Sequence, residues 1–324
     1  MLHFKTFEPR TFAILKRLMD ILNENTAGNM RYNFFTKALL VVFCSVYLFP
    51  LNAQKVKEPK AFNPEWEKPY QPFCIVGNLY YVGTYDLACY LITTPEGNIL
   101  INTGLKSSLS QIEQNIETLG FRSNDTKILL NTQAHYDHLG AMADIKKKTG
   151  ATFMANAPEQ EALLSGGMAD YALGGNGSTF KPIKPDKLLQ NLDTIKLGGM
   201  QLVLLHHPGH TKGSCSYLFD VKDSQRTYKV LIANMPSIVT EKRFDELSSY
   251  PTISQDYAST LKAMKSITFD LWLSSHASQF SLHKKHQPND LYNPLAFADQ
   301  SGYIEALTKS QAYYDEKIRK GSLK

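Results

Sequence analysis

The sequence predicts an α/β fold: one domain with helices covering the outer faces of β-sheets. Three observations carry this. Short apolar runs broken by Gly77-Asn78 and by Pro95-Glu96-Gly97-Asn98 read as a meander of hairpins. Beyond them, strand-like runs alternate with segments of helical periodicity. That succession, strands and then αβ units, occurs twice along the chain. The bulk composition agrees: 324 residues, 43% hydrophobic and 20% charged, with four cysteines, exclude a disordered chain, a collagen-like repeat and a disulfide-framed miniprotein.

The one long apolar run lies near the N-terminus. Met30-Arg31 and Lys37 precede Ala38–Phe49, and Ala53 stands before the polar Gln54. Two cations, an apolar stretch of about a dozen residues and a small residue at its end make a secretory signal. A spanning helix needs about 20 apolar residues, more than are present. The expected organisation is an upstream extension over 1–29, a signal peptide over 30–53 cleaved near Ala53, and a single domain over 54–324 delivered to the periplasm. Removing 1–53 takes away six cations and three anions, so the net charge falls from +5 to +2. Nothing then points to nucleic acid or a membrane surface as partner. Cys74, Cys89 and Cys215 remain. Cys74 and Cys89 flank an apparent hairpin and can pair in an oxidising compartment, and Cys215 is expected as a free thiol packed within a strand.

The elements follow in order. Strands are expected at Phe73–Val76, Leu79–Gly83, Leu87–Thr93 and Ile99–Asn102. Leu109, Ile112, Ile116 and Leu119 recur at helical spacing before Gly120, giving a helix over Ser107–Leu119. Lys127–Leu130 reads as a buried strand, Leu139–Lys148 as a helix stopped by Gly150, Thr152–Ala155 as a strand, and Pro158–Leu164 as a short helix with Pro in its first turn. Ser165–Lys187 carries five glycines and no apolar period, so it is expected as a long surface loop, and such loops are often functional. Strands resume at Thr194–Leu197, Gln201–Leu205, Cys215–Phe219 and Tyr228–Ala233. A helix over Ser254–Ile267, a strand over Asp270–Ser274 and a helix from about Gln300 to Arg319 close the chain.

The chemistry concentrates in Asn131-Thr132-Gln133-Ala134-His135-Tyr136-Asp137-His138-Leu139-Gly140, which lies between a strand and a helix. Zinc favours imidazole nitrogen and carboxylate oxygen, and a catalytic zinc leaves one position for water. Two imidazoles and a carboxylate within four residues can serve two neighbouring ions. Further imidazoles come from His210, in Pro208-Gly209-His210-Thr211-Lys212-Gly213, and from His276, in Ser275-His276-Ala277. Each follows the end of a strand, where α/β sites commonly form. His206 and His207 are expected to neighbour the site without ligating, and His283 and His286, beside Lys284 and Lys285, to be solvated.

Gln133-x-His135-x-Asp137-His138, with Pro208-Gly209-His210-Thr211-x-Gly213 and the later His276, resembles the metallo-β-lactamase superfamily. Within it the chain looks like a class B β-lactamase of the third subclass and of the GOB type. Those enzymes share Gln in place of a usual His, the run Ala134-His135-Tyr136-Asp137-His138 and the segment Leu231–Ser237. The similarity extends from about Pro72 to Ser301. The resemblance implies an αββα sandwich, two packed mixed β-sheets flanked by helices, with a zinc site at one edge. Carried over by motif, Gln133, His135 and His210 hold a first zinc, and Asp137, His138 and His276 a second. It implies hydrolysis of the amide bond of penicillins, cephalosporins and carbapenems by hydroxide generated on zinc, and hence antibiotic resistance. Asp137 orients the nucleophile, and Ser237 matches a position that holds the substrate carboxylate. The enzyme is expected to act as a monomer. A neutral amide is a poorer zinc ligand than imidazole, so Gln133 is expected to weaken the first site.

Other readings fit less well. A glyoxalase-II-like thioesterase or a lactonase of the same fold places a bridging Asp where this chain has Ala233-Asn234-Met235-Pro236. Ser259-Thr260-Leu261-Lys262 and Ser281-Leu282-His283-Lys284 match Ser-x-x-Lys, but no Ser-Asp-Asn accompanies them, which argues against a serine β-lactamase. A metal-binding protein without activity would need more than the single change at Gln133.

Overall fold

A computed structural model describes residues 56–60 and 63–322. The expected extension, signal peptide and cleavage site lie outside them. A seven-stranded sheet has the order β1 (Phe73–Val76), β2 (Leu79–Tyr81), β3 (Tyr90–Thr94), β4 (Gly97–Ile101), β5 (Thr126–Leu130), β6 (Thr152–Asn156) and β7 (Lys187–Leu189). A five-stranded sheet runs β12 (Leu271–Ser274), β11 (Thr227–Ala233), β10 (Cys215–Lys222), β9 (Met200–His206) and β8 (Thr194–Leu197). Both are mixed: β4 to β7 pair in parallel, as do β11 and β12, and the remaining pairs are antiparallel.

Strand alternation divides the core. Tyr90, Ile99, Ile101, Ile128 and Leu130 meet Leu202, Leu204, Tyr217 and Ile232 between the sheets. Their neighbours Leu91, Leu100, Leu129 and Phe153 face the other way, onto Ile112 and Ile116 of α1 (Leu109–Thr118) and Met142 and Ile145 of a later helix. A strand buried on both faces in this way reads as a continuous apolar run. Each fully buried Leu or Ile contributes about 1.5–3 kcal/mol. On the second sheet's side, Met264, Tyr303 and Leu307 join the inter-sheet cluster from two further helices. The fold is the expected sandwich of two mixed sheets flanked by helices. Among the described residues no helix is long and apolar enough to cross a membrane.

Several local expectations change. The helix expected over Leu139–Lys148 is two pieces, α2 (Tyr136–Leu139) and α3 (Met142–Thr149), parted at Gly140. A Cβ on Gly140 would stand 2.3 Å from Lys106 N and 2.4 Å from Leu105 C, so close backbone approach dictates glycine and breaks the helix. At the end of α3, Gly150 takes φ +69° and caps it, as its position suggested. The strand expected from Leu87 starts at Tyr90, and Leu87 instead makes an isolated bridge to His276, in the loop after β12. The Gly-rich segment, expected as a surface loop through Lys187, follows α4 (Gln160–Ser165), folds on itself and ends in β7. Cys74, Cys89 and Cys215 are all free, so the open Cys74–Cys89 pairing is absent, and Cys215 is buried in β10 as expected. His283 and His286 are half-buried rather than free in solvent: His283 stacks on Tyr85 at 3.7 Å between centroids and His286 on Phe73 at 3.5 Å. Three further helices complete the fold: α5 (Ile253–Lys265), the short α6 (Leu282–Lys285) and α7 (Gln300–Ser322).

Candidate metal centre

Three loops, after β5, β9 and β12, are stitched together where the two sheets meet. Asn102, in the left-handed region at φ +61°, accepts the Thr132 N–H through Oδ1 at 3.0 Å and so sets the start of the loop after β5. Thr132 O accepts the Cys215 N–H at 2.8 Å, and the Thr132 and Ser275 hydroxyls lie 2.9 Å apart. His138 is held by its carbonyl, which accepts the Thr103 N–H at 2.9 Å. Glu159, wholly buried, clamps two loops together by accepting both the Ala134 N–H and the Thr211 hydroxyl. Its burial raises the carboxyl to about 7.

On this frame Asp137, His138 and His276 converge, with ligand atoms all within 4.8 Å of one another. Asp137 Oδ2 is 3.2 Å from His138 Nε2 and 3.4 Å from His276 Nε2. Burial alone would raise the Asp137 carboxyl, but the two imidazoles hold it well below the usual carboxylate range. His135 and His210 form a second group, their rings 4.9 Å apart, and Gln133 is buried two residues before His135.

The donor set fits zinc on two counts. First, Nε2 of His135, His138 and His210 and Nδ1 of His138 are buried with no hydrogen-bond partner, a state that is costly unless another ligand takes a lone pair. Second, His210 and His276 each have one nitrogen hydrogen-bonded to an acceptor, which leaves the other for a metal, and His135 faces a carboxylate at ion-pair distance. His210 Nδ1 donates to Ser237 O at 2.8 Å, His276 Nδ1 donates to Asp86 Oδ2 at 3.2 Å, and Asp170 Oδ2 lies 3.3 Å from His135 Nε2. Asp86 and Asp170 are each drawn down to about 2: burial opposes the shift, and the facing imidazole outweighs it.

The Metallo-beta-lactamase superfamily model matches residues 84–223. A class B3 di-zinc metallo-beta-lactamase, LRA-12, from an Alaskan soil metagenome is 62% identical, covering 81% of this chain and 99% of that one with a TM-score of 0.80. The chain belongs to the metallo-beta-lactamase superfamily. GOB-18 from Elizabethkingia meningoseptica is 54% identical over 83% of this chain and 100% of that one, with a TM-score of 0.82, which supports membership of class B3 and the GOB-type likeness. A probable metallo-hydrolase of Bacillus subtilis is 30% identical over 149 residues, spanning 44% of this chain and 64% of that protein, so under two thirds of its length. A hydroxyacylglutathione hydrolase of Haemophilus influenzae is 28% identical over 46% of this chain.

Within this metallo-beta-lactamase, His206 and His207 lie outside the ligand groups. His207 is paired with the Ser216 hydroxyl and His206 with the Asn156 amide. Ser237 is exposed, and its hydroxyl sits 3.0 Å from His210 Nδ1. In the N-terminal lead-in, Tyr70 is 6% exposed and packs edge-on against Tyr81 and Tyr85. Trp66 stands at the site, its ring 5.6 Å from that of His276 and its Nε1–H donating to Asp86. Sequence reasoning missed Trp66, Asp86, Glu159 and Asp170. Isolated carboxylates and one tryptophan have no spacing to betray them, because their partners are distant in sequence.

Proposed function

We propose that this chain hydrolyses the amide bond of β-lactams (penicillins, cephalosporins and carbapenems) with up to two zinc ions, after export to the periplasm. Gln133, His135 and His210 would hold the first zinc and Asp137, His138 and His276 the second. The observation that carries this reading is the buried Asp137–His138–His276 cluster beside the His135–His210 pair, with imidazole nitrogens left unpartnered. Bound zinc acidifies water and polarises a carbonyl, supplying nucleophile and electrophile without a protein base.

The chain's own residues do the rest. Asp137, kept ionised by its two imidazole neighbours, accepts a hydrogen bond from the attacking water and so orients it. Asp86 fixes the His276 ring from behind, and the Ser237 carbonyl does the same for His210. The exposed Ser237 hydroxyl donates to the substrate carboxylate, and Trp66 lines the site with an apolar face. The run Ala233-Asn234-Met235-Pro236 at the end of β11 offers no carboxylate to bridge two metals, which argues against a thioesterase.

The test is hydrolysis of a chromogenic cephalosporin by zinc-loaded protein, with and without a chelator. Turnover abolished by chelation is expected. No turnover together with thioester cleavage would overturn the proposal. A second expectation concerns Gln133. Under limiting zinc the first site should fill less than the second, and Gln133→His should raise its affinity. Metal per protein after mild chelation reads both, and equal retention at the two sites would refute the weak-site expectation.

A further inference from the structure

The segment between α4 and β7 looked in sequence like a free Gly-rich loop, yet it is tightly wound. Gly166 and Gly167 adopt φ +64° and +88°, and Gly167 N–H donates to Ala162 O at 2.7 Å. A Cβ on Gly174 would lie 2.3 Å from both Asp170 O and Met168 O, so the turn closes through glycine's missing side chain. Asp170 Oδ1 accepts the N–H groups of Ala172 and Leu173 at 2.9 and 2.7 Å, which fixes its carboxylate. These contacts aim two consecutive residues into the site. The Asp170 side chain is 4% exposed, with Oδ2 3.3 Å from His135 Nε2. The Tyr171 hydroxyl donates to Gly209 O and His210 O at 3.1 and 3.3 Å.

Gln133, His135 and His210 are neutral donors, so the first metal group includes no carboxylate of its own. A carboxylate on the far nitrogen of a ligating imidazole makes that ligand more basic and locks its ring. A buried carboxylate facing an imidazole is itself stabilised when that ring is polarised by a cation. We propose that the 166–177 segment is a working part of the first metal site. Asp170 is a positioning residue acting through His135, and Tyr171 one acting through His210, so metal filling and ordering of the segment are coupled. Coupling of this kind is reciprocal: what the segment adds to metal affinity, the metal returns as order in the segment.

The inference rests on the metal assignment above, and the test keeps the two apart. In the full chain, Asp170→Asn should weaken first-site zinc binding about 10–100-fold, as read by competition with a chromophoric chelator, and leave second-site affinity unchanged. Asp86→Asn should do the reverse. Tyr171→Phe should weaken the first site less, and Gln133→His should restore it in the Asp170→Asn background. In the unaltered protein, filling the first site should slow amide hydrogen exchange over 166–177, and Asp170→Asn should remove that protection. Unchanged first-site affinity in Asp170→Asn, equal weakening of both sites, or exchange indifferent to zinc would each overturn the coupling. Should the protein bind zinc as described but cleave no β-lactam, the functional reading falls and the coupling stands.

Discussion

Replacing Asp137 by Asn should lower kcat/KM for a cephalosporin by about a thousandfold or more, equivalent to about 4 kcal/mol of transition-state stabilisation. The side chains are nearly isosteric, so the fold should survive and the loss should be chemical. Asp137 is the one carboxylate in the expected ligand set. It lies within 3.4 Å of both imidazoles of its group, and burial leaves it no solvent to share the charge. The carboxamide cannot be anionic, so it weakens the second metal position and holds the attacking water less firmly. Steady-state kinetics with metal analysis check this; a variant within tenfold of the parent enzyme would remove Asp137 from the mechanism.

Gly140→Ala should destabilise the protein by about 3 kcal/mol, the upper part of the range for overpacking, and empty the second metal position. The added methyl meets the backbone of Leu105 and Lys106, which has no rotamer to change. Relief must come from moving the α2–α3 junction, and His138 lies two residues before it, its carbonyl bonded to Thr103. Gly150→Ala makes the control: nothing lies within 4 Å of its Cβ, so it should cost about 1 kcal/mol of left-handed backbone strain and spare the metal. Denaturant midpoints and metal content compare the two. Equal effects would refute the close-approach argument.

Much of the fold was legible because strands buried on both faces leave apolar runs between turn residues. Phe73–Val76 and Thr194–Leu197 match the expected bounds residue for residue, since each is closed by a Gly or Asn turn. β7 escaped because a three-residue edge strand with two exposed positions has neither length nor alternation. The break at Gly140 escaped because its cause, the chain at Leu105–Lys106, is more than thirty residues away in sequence.

The site divides in the same way. Gln133, His135, Asp137 and His138 sit within six residues, and His210 and His276 in short loops after strands, so spacing alone marked them as potential ligands, and the resemblance sorted them into two groups. Tertiary structure decided what stands behind them: Asp86 on His276, the Ser237 carbonyl on His210, Glu159 between two loops, and Asp170 on His135. It also turned Tyr70 into the core and brought Trp66 to the site. The physical reason is range. Ligand loops are local, because one strand end presents several donors to one point. The carboxylates and carbonyls that orient those donors are recruited through space from other elements, and only the packing of two sheets brings them within 3.4 Å.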